Sequence, residues 1–458
     1  VVVGATSVPE RINNKKKKPE RVNNKKKPER VNKKSTTTQP RGIGQGTGRP
    51  RGAWPTRLDS PLAGYYLVLG STVALVVIGL VMVLSSSSVE SLRATKLHSS
   101  YSFFAKQALF AAVGVPLAWI ASRLPVAAWR RLAWPMLVAA TTLLGLVPFV
   151  GHRVNGNQNW IQVGSLTVQP SEVAKLALLV WAATVLTAKR SMLGSTTHVL
   201  VPVVPVAGLL LLLVLVGGDL GTSLIIMAIV FGVLFVAGAP MRVFGFAGGF
   251  ALASVAVLVR TSENRMGRIT AWLGGGDQDY LGLGWQSAHG AFALATGGWW
   301  GVGLGASKEK WLWLPEAHND FIFAIIGEEL GLPGTLSVLA LFGLLALGLL
   351  RLAATTEDLF VQIATGGVLL WIVGQAIVNI GAVLGMLPVV GVPLPLVSSG
   401  GSALVTTMIT LGMVIGFARR VPGATEALTA HAGAVRRSLA VLPRRAGAAA
   451  SRHRAGRP

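Results

Sequence analysis

The segment LPEAHNDFIFAIIGEELG, residues 314–331, concentrates acid in a chain that has little of it. Only 18 of 458 residues are Asp or Glu, yet Glu316, Asp320, Glu328 and Glu329 all fall here, beside an apolar run. An ionised carboxylate at the centre of a membrane helix costs roughly 2.5–3.5 kcal/mol, so such a cluster needs partners, water or a function. Asp320 admits two readings. It can cap the helix that follows, favoured by the helix dipole. It can instead serve as a general base in a partly apolar cavity, where desolvation favours taking up a proton. Spacing alone does not separate the two.

Four other stretches carry polar residues in suggestive places. In GHRVNGNQNWIQVGSLTVQPSEVAK, residues 151–175, Pro170 suits the first turn of a helix and Ser171 can satisfy an end amide. Glu172 and Lys175 are three apart and can pair on one helix face. Lys175 falls just inside an apolar span, where ionisable side chains usually face a cavity or a partner. In GGDLGTS, residues 217–223, Asp219 is placed to cap the next helix. The stretch lacks the GK[ST] ending of a phosphate-cradling loop.

The loop GLGWQSAHGAFALATGGWWGVGLGASKEK, residues 282–310, is rich in aromatics and glycine. Trp285, Trp299 and Trp300 fit an interfacial belt, and Gln286 and Ser287 are polar positions able to reach a sugar or a headgroup. In GVPLPLVSSGGSA, beginning at Gly391, the Ser398 and Ser399 hydroxyls can cap the last span. Gly400 and Gly401 permit close approach of backbone or ligand, although helix packing alone also explains them.

The elements that must position these residues are membrane helices. The chain is 52% hydrophobic and 13% charged, with mean hydropathy +0.58; a soluble globular protein carries about 25% charged residues. Ten apolar spans are expected, near 63–85, 102–122, 132–150, 171–188, 197–216, 219–238, 242–259, 320–353, 359–387 and 398–418. The eighth and ninth exceed a simple crossing of about 30 Å, which implies a re-entrant or interfacial piece, or a tilt. Lys and Arg near the span ends assign the cytoplasmic side. Arg123, Arg130, Arg131, Lys189, Arg190, Arg242, Arg351, Arg419 and Arg420 fall on one side for an even count. The result is an all-α polytopic membrane protein, N-in and C-in, with a large extracytoplasmic loop between spans seven and eight. Residues 151–170, 260–319 and 388–397 lie outside the cell in this topology, and so does the chemistry.

Net charge is +24. Much of it lies in two basic tails, which argues for the cytoplasmic side of a membrane rather than for nucleic acid. We divide the chain into a disordered tail over 1–60, a membrane domain over 61–420 and a second disordered tail over 421–458. Residues 9–34, PERINNKKKKPERVNNKKKPERVNKK, repeat a polar basic unit that reads as a solvated charged tail, with docking on anionic lipid or a partner as the sharper alternative. About sixty mostly polar residues precede the first span, so that span is expected to target the chain without a cleaved leader. Cysteine is absent, which excludes disulfides and thiolate chemistry.

Taken in order, NG…W-I…QPSE..K, DLGT, QS…GG…G.GLG..K, LPEAHNDFIFAIIGEELG and P.PLVSSGGSA resemble the SEDS family (shape, elongation, division and sporulation) over roughly residues 60–420. The resemblance implies a peptidoglycan glycosyltransferase that polymerises lipid II at the outer face of the cytoplasmic membrane, with undecaprenyl diphosphate as leaving group. The family's essential Asp maps onto Asp320, whose implied role is to deprotonate the acceptor's 4-hydroxyl. Cations for the diphosphate would come from Lys175 and Lys310 first, then Arg153, Arg260, Arg265, Arg268 and Lys308. Trp160, Gln286, Ser287, Ser398, Ser399 and Glu172 are the further substrate-binding candidates. The family's divalent-cation dependence makes Mg2+ or Mn2+ the expected cofactor, with Glu316 and Glu329 as candidate ligands.

The implied partners are lipid II, the nascent glycan strand, a class B penicillin-binding protein as transpeptidase, and other divisome proteins; nucleic acid is not expected. Two departures stand out. The run Asn157-Gln158-Asn159-Trp160 has no cation before Trp160, so diphosphate binding is not assigned there, and GG precedes DLGT in place of the usual acidic or Gln residue followed by Pro. The basic tails favour the division branch over the elongation branch, and with it the septum. A lipid II flippase and a non-catalytic scaffold are the alternatives.

Overall fold

A computed structural model of the protein describes residues 60, 62–94, 100–154, 157–164, 166–245, 248–249, 263–274, 284–424 and 426–427. The expected tails, and most of the expected seventh span at 242–259, lie outside the described residues. The helices are α1 (Ala63–Ser86), α2 (Ser88–Ala94), α3 (Ser102–Arg123), α4 (Val126–Val150), α5 (Pro170–Ala188), α6 (Thr196–Val216), α7 (Leu220–Val236), α8 (Glu263–Leu273), α9 (Trp285–Gly297), α10 (Ile322–Thr355), α11 (Leu359–Val383) and α12 (Gly401–Ala418). Eight of them are long and apolar enough to cross a membrane, and α7 is a shorter apolar helix.

The chain is not purely helical. Strands β1 (His152–Val154), β2 (Asn157–Val163) and β3 (Leu166–Val168) form a small antiparallel sheet between α4 and α5. Helix α4 begins earlier than the apolar run suggested, because Trp129 and Ala133 on its first turns are buried while Arg131 stays outward.

Several local expectations hold. Pro170 opens α5. Asp219 caps α7, accepting from the Thr222 amide at 2.8 Å. Others are corrected. Ser171 makes no cap bond; the α5 cap position is Gln169. Ser398 and Ser399 do not cap α12, which starts after Gly400 without a side-chain cap. Asp320 does not cap α10, whose cap position is Phe321.

The excess length of the eighth span is a break. Gly331 sits inside α10 at φ 65°, ψ −157°, so a short buried helix over 322–330 precedes the long one. The backbone of residues 299–301 fills the break: a Cβ on Gly331 would lie 2.7 Å from the Trp300 carbonyl carbon. Only glycine adopts this backbone region readily. We expect Gly331→Ala to lose about 2–4 kcal/mol of stability from backbone strain plus overpacking, read as a lower thermal midpoint in detergent. The ninth span needs no such device, since α11 stops at Val383.

The bundle has two distinct ends. At one, Arg130 pairs with Asp358 at 2.6 Å, Arg420 donates to the Arg123 and Leu124 carbonyls, and Arg351 donates to the Ser60 carbonyl. Three of the positive residues expected on one side, Arg130, Arg351 and Arg420, thus tie helix ends together. At the other end lie α2, the sheet, α9, and the loops 298–321 and 384–400. Helix α12 packs on α3, α11 on α7, and α10 between α1 and α11, so these outer loops rest on a buried core.

Candidate active site

Asp320 stands immediately before the short buried helix of α10. Its neighbours in sequence are tied down on several sides. The Asn319 carbonyl accepts from Ser398 Oγ at 2.6 Å, and the His318 carbonyl accepts from the Ser399 amide at 3.0 Å. Ser398 Oγ also accepts from the Leu394 amide at 2.8 Å. Buried Gln107 on α3 closes the far side: its Nε2 donates to the Ser398 carbonyl and its Oε1 accepts from the Gly400 amide. On α11, Asn379 Nδ2 donates to the carbonyls of Asp320 and Val392, each at 2.7 Å.

The two serines therefore orient backbone rather than reach outward through their hydroxyls alone. A small cleft opens beside Asp320, lined by Asn379, Phe321, Val383, Val390 and Gly391. Asp320 is the one acid on its wall, and the rest is almost wholly apolar.

Lys175 and Glu172 pair at 2.8 Å, both nearly fully buried, as their spacing predicted. The Lys175 ammonium also lies 4.9 Å over the Trp371 ring and 3.5 Å from Gln375 Oε1. Gln375 in turn donates to the Pro393 carbonyl at 2.8 Å. The pair thus supports the 391–399 loop from beneath.

Lys310 and Glu329 form a second buried pair at 3.1 Å. Lys310 Nζ also donates to the Gly305 carbonyl at 2.6 Å, and Ser85 Oγ donates to the Glu329 carboxylate. Glu328 accepts from Ser307 Oγ and from the Lys308 amide. The deep acids of the opening segment therefore pin loop 302–310 to the broken helix. Lys310, a first choice for the diphosphate, has its charge met by Glu329, and Lys175 by Glu172. Lys308 and Arg153 are exposed; Arg260 and the side chains of Arg265 and Arg268 lie outside the described residues.

Glu316 adopts φ 56° and accepts from the Asn319 side chain at 3.3 Å. It and Glu329 serve different partners, and among the described residues no three His, Asp or Glu side chains assemble into a metal cage. Gln286 and Ser287 lie, half-buried, one turn before Gly290, which packs on the Phe321 ring. Trp160 is half-buried on β2, opposite His152. Trp299 and Trp300 are among the most exposed large side chains, at 74% and 84%.

Sequence reasoning did not single out Gln107, Gln375, Asn379, Glu90 or His318. The first three had a readable signal: each is an amide side chain inside an apolar span, where polar groups need partners. Glu90, on α2, meets His318 at 2.9 Å. Burial pushes the His318 imidazole down most strongly of any single cause, but Glu90, Glu316 and Asp320 together outweigh it and raise its pKa. The hydrogen bond to His318 holds the Glu90 carboxyl below its usual range, against a smaller effect of burial.

The sign of the linkage follows. The raised His318 value stabilises below the ordinary histidine value and is lost as pH rises through the folded value. The lowered Glu90 value stabilises above the ordinary glutamate value and is lost as pH falls. Glu90→Gln should therefore lower the thermal midpoint most between those two ordinary values, with the gap closing at alkaline pH; a gap that keeps growing as pH rises above the ordinary histidine value would refute the pairing.

The sequence matches the family model described as cell cycle protein, FtsW/RodA/SpoVE, over residues 66–421. The chain belongs to this family, the SEDS proteins. It is 39% identical over 390 residues to the probable peptidoglycan glycosyltransferase FtsW of Mycobacterium bovis, covering 84% of this chain and 73% of that one. Its fold is similar to a chain solved in a study of the structural coordination of polymerization and crosslinking by a peptidoglycan synthase complex. The TM-score is 0.63 at 28% identity, covering 78% of this chain and 97% of that one. It is also similar to Thermus thermophilus RodA, with TM-score 0.58 and 26% identity, over 78% and 97% of the two chains. This SEDS chain is a multi-pass membrane protein with a RodA-like fold.

Proposed function

We propose that the protein polymerises lipid II into β-1,4-linked glycan at the outer face of the cytoplasmic membrane, with Asp320 as general base. The observation that carries this reading is the seating of Asp320. It stands at the end of the bundle opposite Arg130, Arg351 and Arg420, beside a mostly apolar cleft, with its backbone held from α11 and its preceding residues from the 391–400 loop. A base must be held in place to contribute to rate, and this one is.

In this mechanism the acceptor's 4-oxygen loses its proton to Asp320 and attacks C1 of the donor sugar. The bond from C1 to the diphosphate oxygen breaks, undecaprenyl diphosphate leaves, and the anomeric centre inverts. A single displacement requires base and leaving group on opposite faces of the ring, as in inverting glycosidases. Charge developing on the diphosphate needs cations. Exposed Lys308 and Arg153 are the described candidates with no acid partner in the ion pairs above. A Mg2+ or Mn2+ ion is retained as a proposal on the substrate side, carried by the diphosphate rather than by a protein cage.

Names of the relatives favour the division branch, and with it the septum, a class B penicillin-binding protein and divisome partners. The test is lipid II polymerisation by the purified protein with its cognate class B penicillin-binding protein. Glycan strands support the reading. Lipid II crossing vesicle membranes without any glycan product would replace it with a flippase.

A further inference from the structure

Asn379 is 3% exposed, in the middle of an otherwise apolar stretch of α11. Its Nδ2 donates both hydrogens to main-chain carbonyls from different parts of the chain, Asp320 and Val392. This network fixes the amide orientation, since a flipped amide would set Oδ1 against two carbonyl oxygens. Oδ1 has no hydrogen-bond partner among the described residues. An apolar side chain here would leave both carbonyls without this donor, at about 1–3 kcal/mol for each buried group left unsatisfied. The residue therefore joins two segments of backbone that are distant in sequence.

What it positions is specific. Val392 follows Gly391, and a Cβ on Gly391 would lie 3.5 Å from Asp320 Oδ2. One amide thus sets both the backbone that carries the carboxylate and the backbone over which the carboxylate lies. One turn earlier, Gln375 makes the corresponding bond to the Pro393 carbonyl and receives Lys175. The two amides form a ladder on α11 that ties the Lys175–Glu172 pair to Asp320.

We infer that Asn379 is a positioning residue for the reaction, acting through Asp320 and touching no substrate; this rests on the assignment of Asp320 as base. Displacing a reacting group by about 1 Å can cost on the order of 100-fold in rate. Asn379→Ala should lower kcat for lipid II polymerisation by roughly 10–100-fold on that basis, with KM within about twofold. Asn379→Asp keeps the side-chain volume but removes the NH2 donor, and should show the same loss.

A double-mutant cycle separates positioning from simple loss of folded protein. In the Asp320→Glu background, where the carboxylate is already displaced, Asn379→Ala should cost less than about threefold; a purely structural effect would cost the same factor in both backgrounds. Wild-type kcat in either Asn379 variant, or equal factors in the cycle, overturns the inference while Asp320 keeps its role. Unchanged polymerisation by Asp320→Asn removes the assignment itself, and the inference with it.

Discussion

Asp320→Asn is expected to lower lipid II polymerisation by about 10²–10⁴-fold while leaving a folded protein that still binds its donor. General-base transfer contributes about 10²–10⁴-fold to rate, and an amide of the same shape cannot accept the proton. The fold tolerates the change because what holds this position is backbone: Asn379 binds the Asp320 carbonyl, and Ser398 and Ser399 bind the carbonyls of Asn319 and His318. Strand synthesis measured on gels, with thermal midpoint and lipid II affinity in parallel, checks the result. Polymerisation at the wild-type rate would remove Asp320 from the chemistry.

Lys310→Met acts on stability instead. Lys310 and Glu329 side chains are 4% and 0% exposed. Removing the cation leaves Glu329 buried with only the Ser85 hydroxyl, and also frees the Gly305 carbonyl. Breaking such a buried pair from one side costs about 3–5 kcal/mol. The thermal midpoint should fall sharply, and adding Glu329→Gln should restore most of it because the stranded charge is gone. If Lys310 instead contacts the donor diphosphate directly, Lys310→Met would raise KM for lipid II with little loss of midpoint. The two outcomes decide whether this family-motif lysine is a strut or a ligand.

The exposed tryptophans beside this cluster acquire a reason. The Glu328 and Glu329 carbonyls accept from the Val302 and Gly303 amides. Ser85, Ser307, Lys308 and Lys310 secure the same turn through the two carboxylates. A loop anchored so firmly can hold Trp299 and Trp300 outward at the level of the headgroups. The acid-rich segment is therefore divided by depth. Asp320 remains at the surface of the cleft, while Glu328 and Glu329 are consumed inside.

Much of this was legible in the sequence, wherever the governing rule is local. Apolar length reports a membrane crossing because the bilayer sets it, and the described helices fall close to the expected spans. Pro170 and the Asp219 cap follow from unsatisfied amides at helix starts, and the Glu172–Lys175 pair from the three-residue spacing of one helix face. Arg130, Arg351 and Arg420 contact neighbouring helix ends because they lie close to the ends of their own spans.

Only the tertiary structure decided which polar groups meet across long sequence separations. Ser398 looked like a cap and instead orients Asn319, because the loop before α12 folds over the broken helix. Lys310 looked available and is met by Glu329, because the break at Gly331 turns that acid toward the loop. Glu90 finds His318, Gln107 finds the serine loop, and Asn379 finds Asp320, each from a different helix. Such pairings depend on how helices rotate and pack against one another, and no spacing within a single segment encodes that choice.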